Sequence, residues 1–293
     1  MKMNQTLAEL SSGRNNNLNL IRFVAACFVI ISHSYALTKM GGNEDFCYIL
    51  TGGGFTLGGV AVSIFFFYAG FLILKSMERI KEGIPYFKAR ILRIIPPLAF
   101  VTVMLAFVFG PILSTKDFVS YFTDIGTYKY LLNSVLVLVH NLPGVFEGNF
   151  HGPAVNGSLW TLPVEFICYI LCFVFYKCGF VTKAKWTILP VFTLYLCADY
   201  FLSGWSPLLR SALRPMMLFY LGMLVYIYRE KIKPAVEIAV VGVAVLVLGI
   251  LICRMLSQST RLLYDLLIMI SFPPILIFLA WGGNRRSLCL QPR

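Results

Sequence analysis

The chain has 293 residues, of which 58% are hydrophobic and only 13% are charged, and its mean hydropathy is +0.78. Soluble domains carry about a quarter charged residues, so this composition excludes a soluble globular fold. It predicts an all-α, polytopic helical bundle in a lipid bilayer. The net charge of +12 indicates basic cytoplasmic loops rather than nucleic-acid binding, because no basic stripe alternates with aromatic residues on a soluble domain.

Eight apolar runs are long enough to cross about 30 Å of hydrocarbon as helices. They lie at 18–38, 57–75, 92–113, 159–178, 184–203, 208–228, 234–253 and 262–282. A ninth stretch at 129–142 is shorter and precedes Pro143-Gly144, so we interpret it as a short re-entrant helix. Residues 1–19 are polar and show no cleavable signal. We therefore predict a single membrane domain over 1–293.

Basic residues in short connections predict the orientation of the spans. The connections at 75–93, 177–185 and 229–233 are rich in Lys and Arg, as is the end of the chain at Arg285 and Arg286. We predict that these segments and the N-terminus are cytoplasmic and that the loop at 39–56 is outside. Arg254 and Arg261 fall on the outer side and count against this scheme. Arg210 and Arg214 do so too, unless they are functional.

The cysteines do not indicate a disulfide framework or a metal site. Most of the eight lie inside apolar runs, and no C-x-x-C pair is present. We expect free, buried thiols and no bound metal.

The first span carries two ionisable residues, Arg22 and His33. Eleven residues at about 100° each return to nearly the same azimuth, so both side chains share one helix face, separated by roughly 16 Å along the axis. A neutral imidazole in a cavity can accept a proton from a hydroxyl. The alternatives are that Arg22 reaches the inner headgroups and that His33 makes an inter-helix hydrogen bond.

Glu165 is predicted to lie about two turns inside the fourth span, after Pro163 in an early turn. Its depth is compatible with that of His33. A carboxylate there would fix the imidazole tautomer and stabilise the imidazolium. The alternative is a structural partner for an arginine or a backbone group.

Two further arginine pairs lie on single helix faces. Arg90 and Arg93 are three residues apart at the mouth of the third span, where they would grip phosphates or simply anchor the cytoplasmic side. Arg210 and Arg214 are four apart and would hold an anionic glycan or lipid phosphate, or pair with Asp199. Taken alone, the first pair favours simple anchoring, and the choice for the second pair stays open.

Several other function classes are disfavoured. The chain has no Gly-x-Ser-x-Gly elbow, P-loop or HExxH motif, which disfavours a hydrolase, an ATPase and a zinc protease. A secondary transporter remains an alternative because it too places charges within the membrane. No repeated halves are visible, and His33 with Glu165 fits proton transfer better.

Four motifs occur in order along the chain. Arg22 and His33 are separated by ten residues, Gly58-Gly59-Val60 precedes an aromatic run, Arg90-Ile91-Leu92-Arg93 follows, and Asn156 to Glu165 contains Ser158-Leu159-Trp160. In these motifs the chain resembles the acyltransferase 3 family of membrane-bound O-acyltransferases, which modify bacterial surface and exported glycans. The resemblance covers about 20 to 220.

The resemblance implies a donor side and a location. The donor would be an acyl-CoA, acetyl-CoA above all, approaching from the cytoplasm of a bacterium whose plasma membrane holds the protein. Arg90 and Arg93 would hold the coenzyme phosphates, and Arg22 would line the inner path.

The resemblance also implies an acceptor side. The acceptor would be a sugar hydroxyl of an exported or lipid-linked polysaccharide. His33 would deprotonate this hydroxyl or assist the acyl hand-over, Glu165 would orient His33, and Trp160 would shape the cavity. Direct transfer and passage through an acyl-enzyme both stay open. The oligomeric state is left open.

The chain departs from the family pattern in two places. Ala69 stands where the family often has serine. The family usually has ten spans, whereas we count eight, and residues 284–293 read as an unrelated tail. We therefore expect a product lacking its C-terminal spans, with an inactive truncated relative as an alternative to an active enzyme.

Overall fold

The structure, a computed structural model, describes residues 5–13, 16–38, 45–149, 152–179, 181–256 and 261–282. Over these residues the chain is helical, with two isolated β-bridges and no strand. Eight helical segments are long and apolar enough to cross a membrane: Leu18–Tyr35, Leu57–Ile80, Gly83–Leu113, Gly157–Lys177, Ala184–Ser203, Pro207–Ile227, Val236–Met255 and Arg261–Gly282. The predicted all-α bundle of eight spans is thereby confirmed.

The individual helices are numbered along the chain. They are α1 (Leu7–Ser12), α2 (Leu18–Thr38), α3 (Phe46–Thr51), α4 (Leu57–Ile80), α5 (Gly83–Met104), α6 (Gly110–Leu113), α7 (Phe118–Thr123), α8 (Ile125–Lys129), α9 (Thr161–Lys177), α10 (Ala184–Ser203), α11 (Pro207–Ile227), α12 (Val236–Met255) and α13 (Arg261–Ile277). Short π-helical segments follow α5 at Leu105–Phe109 and α13 at Phe278–Gly282.

The basic connection between the second and third spans is mostly helical. Helix α4 continues to Ile80, Lys81 ends it in the left-handed conformation at φ 62°, and α5 begins at Gly83. The third span therefore starts earlier than the predicted residue 92. Lysine and arginine are good helix formers, so a run of them does not end a helix. Their charge determines only on which side of the membrane the segment lies.

The segment at 129–142 forms less helix than predicted. Helix α8 passes into a 3-10 helix at Tyr130–Val135, and residues 136–142 are not helical. Asn133 causes the change, because its side chain donates to the carbonyls of Tyr130 and Val139 and accepts from the Val139 amide. The predicted helix is therefore wrong over 136–142, where this side chain replaces the helical hydrogen bonds.

Residues 105–149 and 152–156 form a small cap with its own core. Ala106, Tyr121, Tyr130, Leu142 and Val145 are buried together in it. At its surface Lys116 Nζ lies 2.6 Å from Asp124 Oδ2, and this ion pair lowers the pKa of the Asp124 carboxyl. The cap connects the third and fourth spans and thereby positions the start of the fourth.

Helix α4 lies at the centre of the bundle and packs against α2, α9 and α11. Its contact with α11 is close because two glycines face the opposite backbone. A Cβ at Gly70 would collide with the Phe219 carbonyl, and one at Gly222 would collide with the Phe67 carbonyl. Small residues permit this approach of membrane helices, so α4 and α11 form a rigid pair.

The two ends of the bundle can be distinguished by their contacts. Helix α1 docks on the connection after α11, where Leu7 N donates to Ile232 O at 2.7 Å and Ala8 N donates to Arg229 O at 3.1 Å. We call this the N-terminal end. The distal end carries residues 45–56, Gly157–Trp160 and 203–206. Arg285, Arg286 and the predicted tail at 284–293 lie outside the described residues.

Candidate active site

A cavity of about 680 Å³ opens between α2, α4, α9, α11 and α13 toward the distal end. Its polar lining includes His33 from α2, Ser158 and Trp160 from the 3-10 turn before α9, and Arg214 and Arg261. Glycines on its wall keep it open: a Cβ at Gly58 would lie 3.2 Å from Ser32 Oγ, and one at Gly59 would lie 2.9 Å from Arg214 Nη2. The glycine-rich segment therefore shapes this cavity, whereas Gly70 serves helix packing.

His33 shares a hydrogen bond with Ser158, at 2.9 Å between Nε2 and Oγ. Ser158 is held in place by the Asn156 side chain, which accepts from the Ser158 amide at 3.0 Å. The imidazole is exposed to the cavity. This arrangement of a base and a hydroxyl in a cavity can support proton transfer to or from an oxygen.

A second cavity of about 260 Å³ lies toward the N-terminal end. It is lined by Arg22, Arg93 and Glu165, with Ala69 on its wall. Arg22 is half-buried and interacts electrostatically with both Arg93 and Glu165. The cavity therefore combines two cations with one carboxylate and retains an excess of positive charge.

The two cavities adjoin. Val62 and Phe65 of α4 and Thr161 of α9 line both of them. Arg22 lines the smaller cavity and His33 lines the larger one, and their shared face on α2 stays a prediction. The arginines of the smaller cavity and the imidazole of the larger one therefore lie on either side of these shared residues.

Glu165 does not bond His33 in this structure. Its Oε1 accepts a hydrogen bond from the Tyr169 hydroxyl, and Ser158 is the hydrogen-bond partner of the imidazole. One helical turn separates Glu165 from Thr161, which places its carboxylate in the smaller cavity. The catalytic role of Glu165 stays a prediction.

Arg90 and Arg93 have different surroundings. Arg90 is only 9% exposed, donates to Ser76 Oγ at 2.6 Å, and lies against the rings of Tyr86 and Tyr169. Arg93 is exposed and lines the smaller cavity. Of this pair, Arg93 is the one that a ligand in that cavity can reach.

Arg210 and Arg214 also differ in their surroundings. Arg210 makes a bidentate ion pair with Asp199, at 2.8 and 2.9 Å, which is the structural alternative left open by the sequence. Arg214 pairs with Asp265 at 3.1 Å and lines the larger cavity. Trp160 lines the same cavity, as the prediction of a cavity-shaping residue requires.

Two residues that line the larger cavity, Ser158 and Arg261, and the buried Asp265 beside it were missed as site residues by the sequence analysis. Asp265 lies inside the last apolar run, so the rule that charges within spans are functional candidates would have found it. Arg261 was seen only as an exception to the charge rule. Ser158 has no such signal, because a serine before a span is common. Over the described part of the chain, no group of three or more His, Cys, Asp or Glu is arranged to hold a metal ion.

Comparison with known proteins identifies the family. The model of the acyltransferase 3 family, described as an acyltransferase domain, matches residues 15–291. The chain belongs to the acyltransferase 3 family. The match extends into the segment that we interpreted as an unrelated tail. No solved structure matches the chain at a significant level.

Two curated relatives match part of the chain. An O-acetyl transferase of Shigella phage Sf6 is 35% identical over 159 residues, which are 54% of this chain and 45% of the relative. Nodulation protein 10 of Rhizobium leguminosarum bv. viciae is 32% identical over 168 residues, 55% of this chain and 44% of the relative. The chain thus aligns with somewhat less than half the length of each.

Proposed function

We propose that this acyltransferase 3 protein transfers an acyl group, acetyl above all, from an acyl-CoA to a sugar hydroxyl of an exported or surface polysaccharide. Family membership and the O-acetyl transferase named among the relatives support acyl transfer to oxygen. The observation that carries the proposal is the pair of adjoining cavities, one holding exposed and half-buried arginines and the other holding His33.

The donor binds on the N-terminal side in this proposal. Arg93 and Arg22 offer charged donors to phosphates of the coenzyme, and the smaller cavity has the positive excess that such a group requires. Arg90 is buried against Ser76 and Tyr169, so we assign it to holding α5 against α9 rather than to direct contact with the donor.

The acceptor binds in the larger cavity. His33 Nε2 accepts the proton of the sugar hydroxyl, whose oxygen attacks the thioester carbonyl carbon. The carbon–sulfur bond then breaks, and the imidazolium returns the proton to the leaving thiolate. Before the acceptor binds, Ser158 Oγ occupies His33 Nε2, and the sugar hydroxyl takes its place there before the proton is transferred. The Trp160 ring offers an apolar wall for the sugar.

The proposed location is the bacterial inner membrane, with the N-terminus in the cytoplasm. Docking of α1 beside Arg229 and Ile232 puts the N-terminal residues at the same end as a basic connection. Basic connections favour the cytoplasmic side. The donor cavity then faces the compartment that contains acyl-CoA, and the acceptor cavity faces outward.

The test is expression of the chain in a bacterial host whose surface polysaccharide has a known structure. Mass spectrometry of the purified glycan measures the added acyl mass. The proposal expects one acyl group per modified sugar from the wild-type chain and none from His33→Ala. No acyl gain with equal amounts of protein in the membrane contradicts the proposal for this chain.

A control variant separates catalysis from folding. His140 is half-buried in the cap and lines neither described cavity. We expect His140→Ala to retain acyl transfer. Equal loss of acylation in both histidine variants would contradict the role of His33.

A further inference from the structure

Charged residues from three helices meet at the wall of the larger cavity. Helices α10, α11 and α13 bring together three arginines and two aspartates at the distal end: Arg210, Arg214, Arg261, Asp199 and Asp265. Two of these five residues, Arg214 and Arg261, line the cavity, and we call them the arginine wall.

Asp199 and Arg210 form a bidentate ion pair beside the arginine wall. Both guanidinium-to-carboxylate hydrogen bonds are shorter than 3 Å, at 2.8 Å from Nε and 2.9 Å from Nη2. Neither residue lines the cavity. Because the two charges cancel at short range, this pair contributes no net charge to a ligand in the cavity.

Asp265 is shared between both members of the arginine wall. Its carboxylate, 1% exposed, lies 3.1 Å from Arg214 Nη1 and 3.6 Å from Arg261 Nε, and it also accepts from the Tyr195 hydroxyl. One carboxylate therefore faces two guanidinium groups. The arginine wall carries one positive charge in excess of its carboxylate.

Among the residues that the structure describes, Asp45 and Arg254 at the distal end do not supply the missing anion. Asp45, which lies behind Ser32, accepts from the Ser32 hydroxyl and from the amides of Tyr48 and Leu57. It does not line the cavity. Arg254 donates to the Leu50 carbonyl and adds positive charge to this end of the bundle.

Arg214 also has unused hydrogen-bonding capacity. Its Nε is buried without a hydrogen-bond partner among the described residues, and the absence of a side chain at Gly59 makes room for its guanidinium. An uncompensated charge and an unpaired donor inside a membrane protein are costly. A bound anion offsets the uncompensated charge, so the arginine wall is suited to an anionic ligand.

We propose that Arg214 and Arg261 form a subsite for one anionic group of the acceptor, a carboxylate or a phosphate attached to the sugar. This inference rests on the proposed function and narrows its acceptor class to acidic glycans or phosphorylated sugars. The acceptor then has two attachment points in one cavity: its hydroxyl meets His33 and its anionic group meets the arginine wall.

The test is a binding measurement without any acyl donor. The full chain is purified in detergent, and its affinity is measured for methyl β-D-glucuronide, glucose 1-phosphate and the neutral methyl β-D-glucoside. We expect at least one anionic probe to bind about tenfold or more tightly than the neutral one, the size of one charge-assisted hydrogen bond. Preference for the glucuronide alone identifies a carboxylate, and preference for glucose 1-phosphate alone identifies a phosphate.

Three variants test whether Arg214 and Arg261 cause the preference for anionic probes. Arg214→Gln and Arg261→Gln should each remove most of the preference, whereas Arg254→Gln, at the same end but outside the cavity lining, should retain it. Equal affinity of the wild type for all three probes overturns the proposal. Retention of the preference in both Arg214→Gln and Arg261→Gln overturns it as well.

The binding measurement still tests the subsite when one of the variants fails to fold. The wild-type comparison needs no variant, and Arg261, whose side chain is one-third exposed, can be replaced without burying an unpaired group. Anionic preference without acylation of any glycan refutes the proposed function alone. Equal acylation of neutral and acidic acceptors by an active chain refutes this subsite alone.

Discussion

His33 Nε2 and Ser158 Oγ lie 2.9 Å apart, although 125 residues separate them in the chain. The contact joins the first span to the 3-10 turn that starts the fourth. A ring nitrogen held by a hydroxyl has a fixed orientation toward the cavity. In this structure the hydrogen-bond partner of the imidazole is Ser158, whereas Glu165 is bonded to Tyr169.

Replacement of Ser158 tests this relationship. We expect Ser158→Ala to lower the acylation rate by about fivefold, because the loss of one hydrogen bond of about 1 kcal/mol leaves the imidazole free to turn away. The measurement is acyl incorporation per unit of membrane protein. Ser203→Ala, whose hydroxyl bonds only the nearby Tyr200 carbonyl, is the control, and unchanged activity of Ser158→Ala would contradict the assignment.

The different surroundings of Arg93 and Arg90 predict different defects. Arg93→Gln should raise the KM for acyl-CoA about tenfold with little change in kcat, because an exposed phosphate contact is lost. Arg79→Gln, an exposed arginine on the last turn of α4, should leave KM unchanged. A normal KM in Arg93→Gln would exclude direct donor contact by this residue.

Arg90→Gln should act on stability instead. The substitution removes the buried donor to Ser76 and the contacts with Tyr86 and Tyr169, and we expect a loss of about 1–3 kcal/mol in the free energy of unfolding. Thermal unfolding in detergent measures it. A fully stable Arg90→Gln protein with a raised KM would instead return Arg90 to the donor site.

Asp265 is expected to be the most sensitive carboxylate at the distal end. Asp265→Asn leaves Arg214 and Arg261 without their buried counterion, and breaking such a pair costs about 3–5 kcal/mol. The melting temperature should fall markedly. The control is Lys116→Met, which removes an ion pair on the surface of the cap. Such a pair contributes little to stability. An equal fall in melting temperature in both variants would contradict the importance of the buried Asp265 carboxylate.

The close packing of α4 and α11 is tested at two glycines. Gly70→Ala and Gly222→Ala would each place a methyl group against a backbone carbonyl of the facing helix, and overpacking of this kind costs about 1–3 kcal/mol. Gly148→Ala has open space around it and is the matched control. A melting temperature unchanged by Gly70→Ala would show that the two helices are further apart than described.

Part of this structure follows from the sequence through local physics. The lengths of the apolar runs determine eight spans, because a helix must be about 20 residues long to cross the hydrocarbon. The helical period likewise predicts that Arg22 and His33 share a face of the first span. Neither property depends on which helices become neighbours.

The partners of the polar side chains depend on tertiary structure. Helix rotation and packing decide that His33 meets Ser158, that Glu165 meets Tyr169, and that Arg90 is buried while Arg93 is exposed. Close contact at Gly70 and Gly222 brings α11 to α4 and with it Arg214 to Gly59. Each charged group had several partners within its reach, and only the three-dimensional packing of the helices selects one.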